Sequence, residues 1–296
     1  MGRENYGHHH NSKYPSLTQF MPELPEVEVV CRGLRGYVSG KRIQAVGLSG
    51  KALRTFSGQT RALPIAGQVI LGIARRAKNL VFTLDDWWLV VHLGMSGQLL
   101  WLAKEAVRPA HSHVWLTFDD GQLVYNDPRR FGDLRIAPRG ADGTSLPEAL
   151  LGQAARGCEP LDSGFDGPWL YAASRGVRQA IKPWLMRGDL VVGVGNIYAS
   201  EALFRAGIHP ARAAGRLSAI RCAALAQSIR DVLSEAIAGG GSSLRDFVSA
   251  DGRAGHFVAD HRVYGRQGAP CRVCGAPIRR RVQAQRATYF CAACQR

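Results

Sequence analysis

Four cysteines near the carboxyl end of the chain form two identically spaced pairs. Cys271 and Cys274 enclose two residues, Cys291 and Cys294 do the same, and 16 residues separate the pairs. Two C-x2-C pairs at this distance are typical of a four-thiolate zinc ribbon, with a short hairpin between the pairs. The alternative is a pair of disulfides or a redox site, but a redox C-x-x-C lies near a βαβ unit and needs no second copy. The spacing therefore predicts one structural zinc ion.

The segment between the cysteine pairs is cationic. Arg279, Arg280, Arg281 and Arg286 lie in it, and it contains no acidic residue. A cationic zinc hairpin is complementary to a phosphate backbone. The whole chain has the same bias, since 38 lysines and arginines against 23 acidic residues give a formal net charge of +15. A polyanion is the expected partner, and a solvated basic surface with no specific role is the alternative.

Length, cysteine usage and hydropathy limit the class of protein. A chain of 296 residues suggests about two domains. Three of the seven cysteines are scattered outside the zinc motif, which is typical of a cytosolic protein. No apolar run approaches the roughly 20 residues that cross a bilayer, and residues 1–20 lack the apolar core of a signal peptide. We therefore predict a soluble protein with a disordered extension at residues 1–20.

The first element that can position chemistry is a helix that begins near Pro25, because proline is favoured in the first helical turn. Its apolar face is predicted from residues at helical spacing, namely Val27, Val30, Cys31, Leu34 and Val38. Pro22 and Glu23 then lie just outside the helix, where we expect their side chains to be held but not buried. Taken alone, Glu23 is interpreted as a surface acid that compensates the helix dipole.

Short β-like runs separated by turn signals follow this helix, and they predict an antiparallel sandwich. They are Arg42–Leu48, Val69–Ile73, Leu80–Leu84, Leu89–Leu93, Val114–Phe118, Leu123–Asn126 and Leu134–Ala137. Residues 138–168 favour a connection with one helical turn near 146–155, because they are rich in glycine, proline and aspartate.

Three connections in the strand region carry unusual residues. Arg75–Lys78 is basic, His92–Gly97 has Met95 at its tip, and Asp127–Gly132 places Phe131 beside two arginines. Each apolar residue alone is more simply explained as core or rim. Apolar side chains on loops flanked by cations also match the wedges that DNA-distorting proteins insert into the base stack. The combination indicates such a surface.

The second half of the chain is predicted to be helical. A helix at Ile181–Met186, a glycine-rich turn, and a second helix with Asn196 at its N-cap form one unit. The turn glycines would leave backbone amides open to a phosphate, although glycine also simply makes turns. A longer helix begins near Ser218 and ends at the glycines from 239 to 241. The stretch Ser249–His261 is predicted to be a mobile loop.

Six motifs in order make the chain, from Met21 to its carboxyl end, resemble the bacterial formamidopyrimidine-DNA glycosylase family. They are Met21–Glu28, Arg75–Lys78, His92–Gly97, Asp127–Gly132, Val192–Tyr198 and Ala284–Thr288. The resemblance implies an α+β multidomain fold. We expect an N-terminal antiparallel β-sandwich with its flanking helix at 21–150, a linker at 151–168, a helix-two-turns-helix domain at 169–262 and a zinc finger at 263–296.

The same resemblance implies a bifunctional enzyme of base excision repair. It would remove oxidised purines such as 8-oxoguanine and formamidopyrimidines from duplex DNA, and then cleave the strand by β,δ-elimination. Pro22 matches the family's amino-terminal nucleophile, whose secondary amine attacks C1′ of the damaged nucleotide. Glu23 matches the general acid/base, Lys78 the lysine for proton transfer and phosphate contact, and Arg286 an arginine that assists elimination.

DNA contacts are also implied by the resemblance. His111, Arg129, Asn196 and Arg178 match contact positions, and Met95 and Phe131 join Arg129 in filling the void left by a flipped nucleotide. One departure concerns Pro22, which is internal in this sequence and therefore a tertiary amide, so the active form is expected to begin at Pro22. The protein is expected to be a monomer in the bacterial cytoplasm, associated with the nucleoid and not with a membrane, and to bind damaged double-stranded DNA.

Two other functions compete with this interpretation. One is the related endonuclease VIII type, which prefers oxidised pyrimidines, although Leu24, Met95 and the Arg129–Phe131 motif favour the purine enzyme. The other is a non-catalytic zinc-ribbon protein that binds DNA, which would follow if Pro22 is never exposed as an amine.

Overall fold

A computed structural model describes residues 21–54, 63–140, 143, 145–241 and 261–296. The predicted extension at 1–20 and residues 249–260 of the predicted loop lie outside the described residues. None of the helices within the described ranges is long and apolar enough to cross a membrane.

The first helix, α1, spans Leu24–Val38 and is fixed at its start by the acids around it. The backbone N–H of Glu23 donates to Glu26 Oε2 at 2.9 Å, and Pro25 occupies the first turn, where a missing N–H costs no hydrogen bond. The predicted apolar face from Val27 to Val38 is buried, as expected from its helical spacing.

Eight strands form two four-stranded antiparallel sheets, so the predicted sandwich is confirmed. They are β1 Ala45–Leu48, β2 Ile70–Arg76, β3 Asn79–Leu84, β4 Trp87–His92, β5 Gln98–Leu102, β6 Ser112–Thr117, β7 Gln122–Asn126 and β8 Asp133–Pro138. One sheet has the order β1-β6-β7-β5 and the other β2-β3-β4-β8. Strand β5 was not predicted, because Gln-Leu-Leu-Trp-Leu lacks the alternation that identifies a half-buried strand.

The second half is helical, as predicted. Its helices are α2 Glu148–Leu151, α3 Gly167–Ser174, α4 Ile181–Leu185, α5 Asn196–Arg205 and α6 Ala219–Ala238. The N-cap of α5 is Gly195, one residue before the predicted Asn196. Phe165, within the predicted linker, is fully buried in the core of this helical half.

A third small unit closes the chain. Strands β9 Arg279–Gln283 and β10 Arg286–Phe290 pair as an antiparallel hairpin. Ala284 and Gln285 both have positive φ, 45° and 61°, as a two-residue type I′ turn requires. The turn places Arg286 at the first position of β10, facing back toward the rest of the molecule.

The helix α1 belongs to two hydrophobic cores. Val27 and the later residues of its apolar face pack in the core of the sandwich. Leu24, at its first turn, is fully buried and packs in the core of the helical half together with Leu203 and Leu233. The residues just before Leu24 are therefore drawn into the seam between the two halves.

Candidate functional site

Glu23 lies in this seam and is buried, with 3 % of its surface exposed. Its carboxylate accepts hydrogen bonds from the backbone N–H groups of Gly195 at 2.8 Å, Ile197 at 2.9 Å and Tyr198 at 3.4 Å. The expectation of an unburied surface acid was wrong, because the first turn of α1 packs against α5 as well as the sandwich. These amides at the start of α5 hold the carboxylate of Glu23, so they are not open to a phosphate.

The close approach of Glu23 requires glycine at position 195. A Cβ at this position would lie 2.3 Å from Cδ of Glu23, which is closer than any non-bonded contact allows. Gly193 makes a similar approach possible, since it has φ of 84° and its carbonyl accepts the N–H of Leu24 at 3.1 Å. The glycine-rich turn therefore receives the beginning of α1.

Lys78 lies in the tight turn between β2 and β3. The preceding residue, Ala77, is buried and has φ of 55°. This left-handed conformation costs a non-glycine residue roughly 1–2 kcal/mol, so the surroundings must hold the turn in place. Lys78 itself is half-buried and faces the seam that contains Glu23.

A cavity of about 250 Å³ brings the predicted catalytic side chains together. Glu23, Lys78 and Arg286 line it, although they come from α1, the β2–β3 turn and the zinc hairpin. The remaining lining residues are Met21, Gly195, Asn196, Ile197 and Tyr264. Pro22, which is half-buried, lies between Met21 and Glu23 in the chain and does not itself line the cavity.

Burial moves the pKa values of Glu23 and Lys78 toward each other. It raises the pKa of Glu23, and the nearby Lys78 and the amide hydrogen bonds oppose this rise only in part. It lowers the pKa of Lys78, and Arg286 adds to the lowering. A carboxyl group with a raised pKa holds a proton more readily and an amine with a lowered pKa releases one more readily, which suits both to proton transfer.

Lys182 was missed by the sequence analysis, although it is almost fully buried on α4. Its Nζ donates to Asn196 Oδ1 at 2.7 Å, Thr288 Oγ1 at 2.9 Å and the carbonyl of Ala287 at 3.0 Å. Lys182 thereby ties the start of α5 to β10. The available signal was a single charge within the apolar helix Ile-Lys-Pro-Trp-Leu.

Replacing Lys182 with methionine is expected to flatten the pH dependence of stability. Burial lowers the pKa of Lys182 from 10.5 to about 7 in the folded protein. The unfolded chain then binds the proton more tightly, so the destabilisation is full below pH 7 and is lost as pH rises toward 10.5. Between pH 7 and 9 the wild type should gain about 1 kcal/mol per pH unit relative to Lys182→Met, measured by denaturant unfolding. Parallel curves would contradict the assignment.

Tyr264 was also missed, and a second buried acid holds it. Asn196 Nδ2 donates to the hydroxyl of Tyr264 at 3.2 Å. The carboxylate of Glu201 on α5 accepts the backbone N–H groups of Arg262, Val263 and Tyr264 at 2.9, 3.0 and 2.8 Å. Nothing in the local sequence indicates this role, because Glu201 has the pattern of an ordinary polar residue in an amphipathic helix.

The two loops of the predicted wedges pack against each other. A Cβ on Gly94 would lie 2.5 Å from the backbone of Phe131, so the loop of Met95 and the loop of Phe131 touch directly. Phe131 is 44 % exposed, which is unusual for phenylalanine, and the guanidinium of Arg129 lies 4.7 Å from its ring centroid. Met95 is half-buried beside them.

Asp127 organises these loops from inside. It is fully buried, and its carboxylate accepts hydrogen bonds from Ser96 Oγ, from Tyr125 Oη and from the N–H of Gly132. Its own N–H donates to the carbonyl of His111 at 3.0 Å, so exposed His111 joins the same face. Arg178 lies on the segment before α4 and does not line the cavity of Glu23, Lys78 and Arg286.

A larger cavity of about 520 Å³ adjoins the first, and Lys78 lies in the wall of both. Arg54, Arg135 and Arg187 also line it, as does Phe131. His92 contributes a neutral imidazole, because burial and, to a lesser extent, the nearby Lys78 lower its pKa to about 4. Among the described residues, Asp133 is the one acid in its lining, so the cavity is cationic. We call it the cationic passage, because Lys78 joins it to the cavity of the catalytic candidates.

The four cysteines converge as a zinc site requires. All four Sγ atoms lie within 4.8 Å of one another. Cys271 Sγ and Cys294 Sγ are 3.9 Å apart, and Cys274 Sγ and Cys291 Sγ are 3.5 Å apart. A tetrahedral zinc with sulfur ligands at about 2.3 Å places them about 3.8 Å from each other. The residues therefore fit a structural zinc ion.

Comparison with known proteins covers the same three units. A family model described as "Formamidopyrimidine-DNA glycosylase N-terminal domain" matches residues 21–134. The "Formamidopyrimidine-DNA glycosylase H2TH domain" matches residues 156–248, and the "Zinc finger found in FPG and IleRS" matches residues 268–296. The last match, together with the geometry of the four thiols, confirms the prediction of one structural zinc.

Relatives and solved structures match along almost the whole chain. The formamidopyrimidine-DNA glycosylases of Paraburkholderia phytofirmans and Paraburkholderia xenovorans are 48% and 49% identical, over 93% of this chain and 100% of theirs. The Lactococcus lactis Fpg bound to DNA with an abasic site is 36% identical with a TM-score of 0.81, over 93% of this chain and 99% of that one. The MutM (Fpg) protein of Thermus thermophilus is 39% identical with a TM-score of 0.78, over 93% and 98%. This chain belongs to the formamidopyrimidine-DNA glycosylase family.

Proposed function

We propose that the protein removes oxidised purines from duplex DNA and then cleaves the strand, with the amine of Pro22 as its nucleophile. The observation that carries this proposal is the shared cavity that Glu23, Lys78 and Arg286 line, since Glu23 directly follows Pro22 in the chain. The enzyme is a DNA glycosylase of base excision repair, as its family membership and the fold indicate. What we propose beyond this is its preference for oxidised purines and the chemical roles of its individual residues.

In the first chemical step the nitrogen of Pro22 bonds to C1′ of the lesion nucleotide, and the glycosidic electron pair leaves with the base. The proton of the proline N–H must be removed as the bond forms. The carboxylate of Glu23 is the adjacent base, and its raised pKa allows it to hold this proton and return it to the sugar. Protonation of O4′ breaks the C1′–O4′ bond, so the sugar ring opens and the product is an iminium ion between the Pro22 nitrogen and C1′.

In the second step the iminium ion makes the C2′ proton acidic, and loss of this proton expels the 3′ phosphate. Lys78 is placed to give a proton to the departing base in the first step, which leaves its amine neutral and able to take the C2′ proton in this one. Burial favours the neutral amine because it lowers the pKa of Lys78. Arg286, which also lines the cavity, supplies positive charge for the leaving phosphate. A further elimination releases the 5′ phosphate in the same way, which gives the expected β,δ-elimination.

The cationic passage gives the damaged strand its route to the reaction cavity. Arg54, Arg135 and Arg187 along it add to the predicted contacts at His111, Arg129 and Asn196. Because catalysis at C1′ requires the nucleotide to leave the stack, the exposed ring of Phe131 and neighbouring Met95 would fill the gap. The solved relatives support the binding of damaged DNA, since the Lactococcus lactis proteins are bound to DNA with an abasic site or a Fapy-dG lesion.

Borohydride trapping on duplex DNA that contains 8-oxoguanine tests the proposal. The active form should give a covalent protein-DNA band and an excised base. Glu23→Gln should reduce base excision by about 10²–10⁴-fold, the usual contribution of general acid-base catalysis. A duplex that contains an oxidised pyrimidine serves as the comparison. Faster excision of the pyrimidine would favour the endonuclease VIII type, and DNA binding without any adduct would favour a non-catalytic protein.

The wedge residues and the phosphate contact are expected to have separable effects. Arg129→Ala removes a proposed phosphate contact as well as a void-filling side chain. It should weaken binding to damaged and undamaged duplexes alike, because a phosphate contact is independent of sequence and lesion. Met95→Ala and Phe131→Ala should mainly slow excision, because they destabilise the flipped state. Filter binding on both duplexes and single-turnover excision measure the two effects. Equal loss of affinity for undamaged DNA in all three variants would contradict this division of roles.

The state of the protein in the cell is part of the same proposal. We place it in the bacterial cytoplasm, at the nucleoid, as a monomer bound to one damaged site. The net charge of +15 supports association with DNA. Analytical ultracentrifugation with and without a lesion duplex would give one protein per duplex if the monomer is the active unit.

A further inference from the structure

Glu159 is a buried acid that the reaction described above does not use. It lies in the segment that enters the helical half, and 6 % of its surface is exposed. Its Oε2 accepts Arg75 Nη1 at 2.9 Å, and its Oε1 lies 3.1 Å from Arg76 Nη1. The same Oε1 accepts the backbone N–H of Ala77. All three partners belong to the end of β2 and its turn into β3, in the other half of the molecule.

The turn that Glu159 holds is the one that carries Lys78. Ala77, the residue before Lys78, has the left-handed backbone conformation described above and its N–H has Glu159 as acceptor. Arg76 adds a hydrogen bond from Nη2 to the carbonyl of Gly157 at 2.6 Å, two residues before Glu159. The position of the Lys78 backbone is therefore set by the segment around 157–159, across the seam.

The network also reaches the helix that carries Glu23. Arg75 Nε donates to Glu28 Oε2 on α1 at 2.9 Å while its Nη1 donates to Glu159. Arg75 is 8% exposed at its side chain, so water competes little with these contacts. The buried Arg75 thus links the β2–β3 turn that carries Lys78 to α1. Glu159 supplies the negative charge that holds this arginine in place.

We propose that Glu159 is a positioning residue, which fixes the distance between Lys78 and the Pro22-Glu23 end of α1. The inference rests on the proposed role of Lys78 in the reaction. A displacement of about 1 Å in a reacting group reduces rates by about 10²-fold, so a small relaxation of the turn has a large effect. A role in stability alone would lower the melting temperature without a specific effect through Lys78.

A double-mutant cycle of Glu159 with Lys78 tests the inference. It uses the protein that begins at Pro22 and retains the rest of the chain. Single-turnover excision of 8-oxoguanine is measured for wild type, Glu159→Ala, Lys78→Met and the double variant. Glu159→Ala is expected to slow excision by about 10–100-fold with little change in duplex affinity, as misplacement of a reacting group predicts. In the Lys78→Met background the same change should have an effect of less than about threefold, because coupled residues are not additive.

Two further variants separate positioning from folding. Glu159→Gln retains an acceptor for the N–H of Ala77 and should recover part of the lost rate, which a charge-only stability role would not predict. Phe165→Leu removes core volume from the same segment and should lower the melting temperature with the excision rate unchanged. An excision loss for Phe165→Leu equal to that for Glu159→Ala would overturn the inference.

The same measurements distinguish a failure of the proposed role of Lys78 from a failure of the positioning role of Glu159. If Lys78→Met excises the base as fast as wild type, the proposed role of Lys78 fails and the positioning role of Glu159 falls with it. If Lys78→Met is slow and Glu159→Ala adds its full loss on top, Lys78 keeps its role and Glu159 does not act through it.

Discussion

A protein that begins at Pro22 is expected to form a borohydride-trapped adduct with lesion DNA, and one that retains residues 1–20 is expected to form none. The reason is chemical, since the nitrogen of an internal proline is a tertiary amide without a basic lone pair. A free α-amino group has a pKa of about 7.7–8.0, so much of it can attack C1′ at physiological pH. The loss should be complete, because no rearrangement of the site restores a lone pair to an acylated nitrogen.

The comparison needs two matched proteins. One retains every residue from Met1, as mass spectrometry must verify, and the other is translated from Met21 and loses this methionine, so that it begins at Pro22. Both should bind one zinc ion and an undamaged duplex with equal affinity, since neither property involves the Pro22 nitrogen. Equal trapping rates for the two would show that Pro22 is not the nucleophile or that another amine, such as Lys78, replaces it.

Loss of the zinc ion is expected to abolish DNA binding. The core of the hairpin unit is small and consists largely of Phe204, Val263, Ile278 and two of the cysteines. It cannot fold the hairpin without metal, whereas zinc contributes roughly 10–16 kcal/mol of apparent binding free energy to small domains of this kind. Unfolding would remove Arg286 from the reaction cavity and both β10 acceptors from Lys182.

Metal analysis and duplex binding of Cys271→Ser, with Val273→Ala as control, test this expectation. Val273 lies between the same two cysteines but is 67% exposed, so its loss should leave zinc content and affinity unchanged. Wild type should hold one zinc per chain, and Cys271→Ser should hold little and bind DNA at least about 10²-fold more weakly, as expected when a folding metal is lost. Less than half an equivalent in wild type, or full affinity in the serine variant, would refute the expectation.

Local sequence patterns were sufficient to predict most of the helices and strands. The face of α1, the alternation of most strands and the stop of α6 before three glycines depend on neighbours within a few residues. The cysteine pairs also needed no tertiary information, because their spacing reflects the geometry of the metal. Strand β5 was missed for the corresponding reason, since its pattern does not repeat with period two.

The environment of each site residue could not be predicted in the same way. Glu23 is buried because Gly195 and the start of α5, 172 residues later in the chain, aim their amides at its carboxylate. Lys182 similarly meets Thr288 at a separation of 106 residues. Burial, pKa and hydrogen bonding at such positions are tertiary properties, so the motifs identified the side chains without their surroundings. Glu159 and Tyr264 carry no motif signal by themselves.

The helix α1 packs in both hydrophobic cores, and this limits which relatives can be recombined into a chimera. Leu24 packs in the core of the helical half, and Glu23 fits against the missing side chain of Gly195, whereas the rest of α1 is part of the sandwich. A chimera that joins the sandwich of one relative to the helical half of another, with its crossover at 151–168, inherits these matched residues from different parents. Chimeras with this crossover are therefore expected to fold only when the two parents carry matching residues in the first turn of α1 and in the glycine turn before α5.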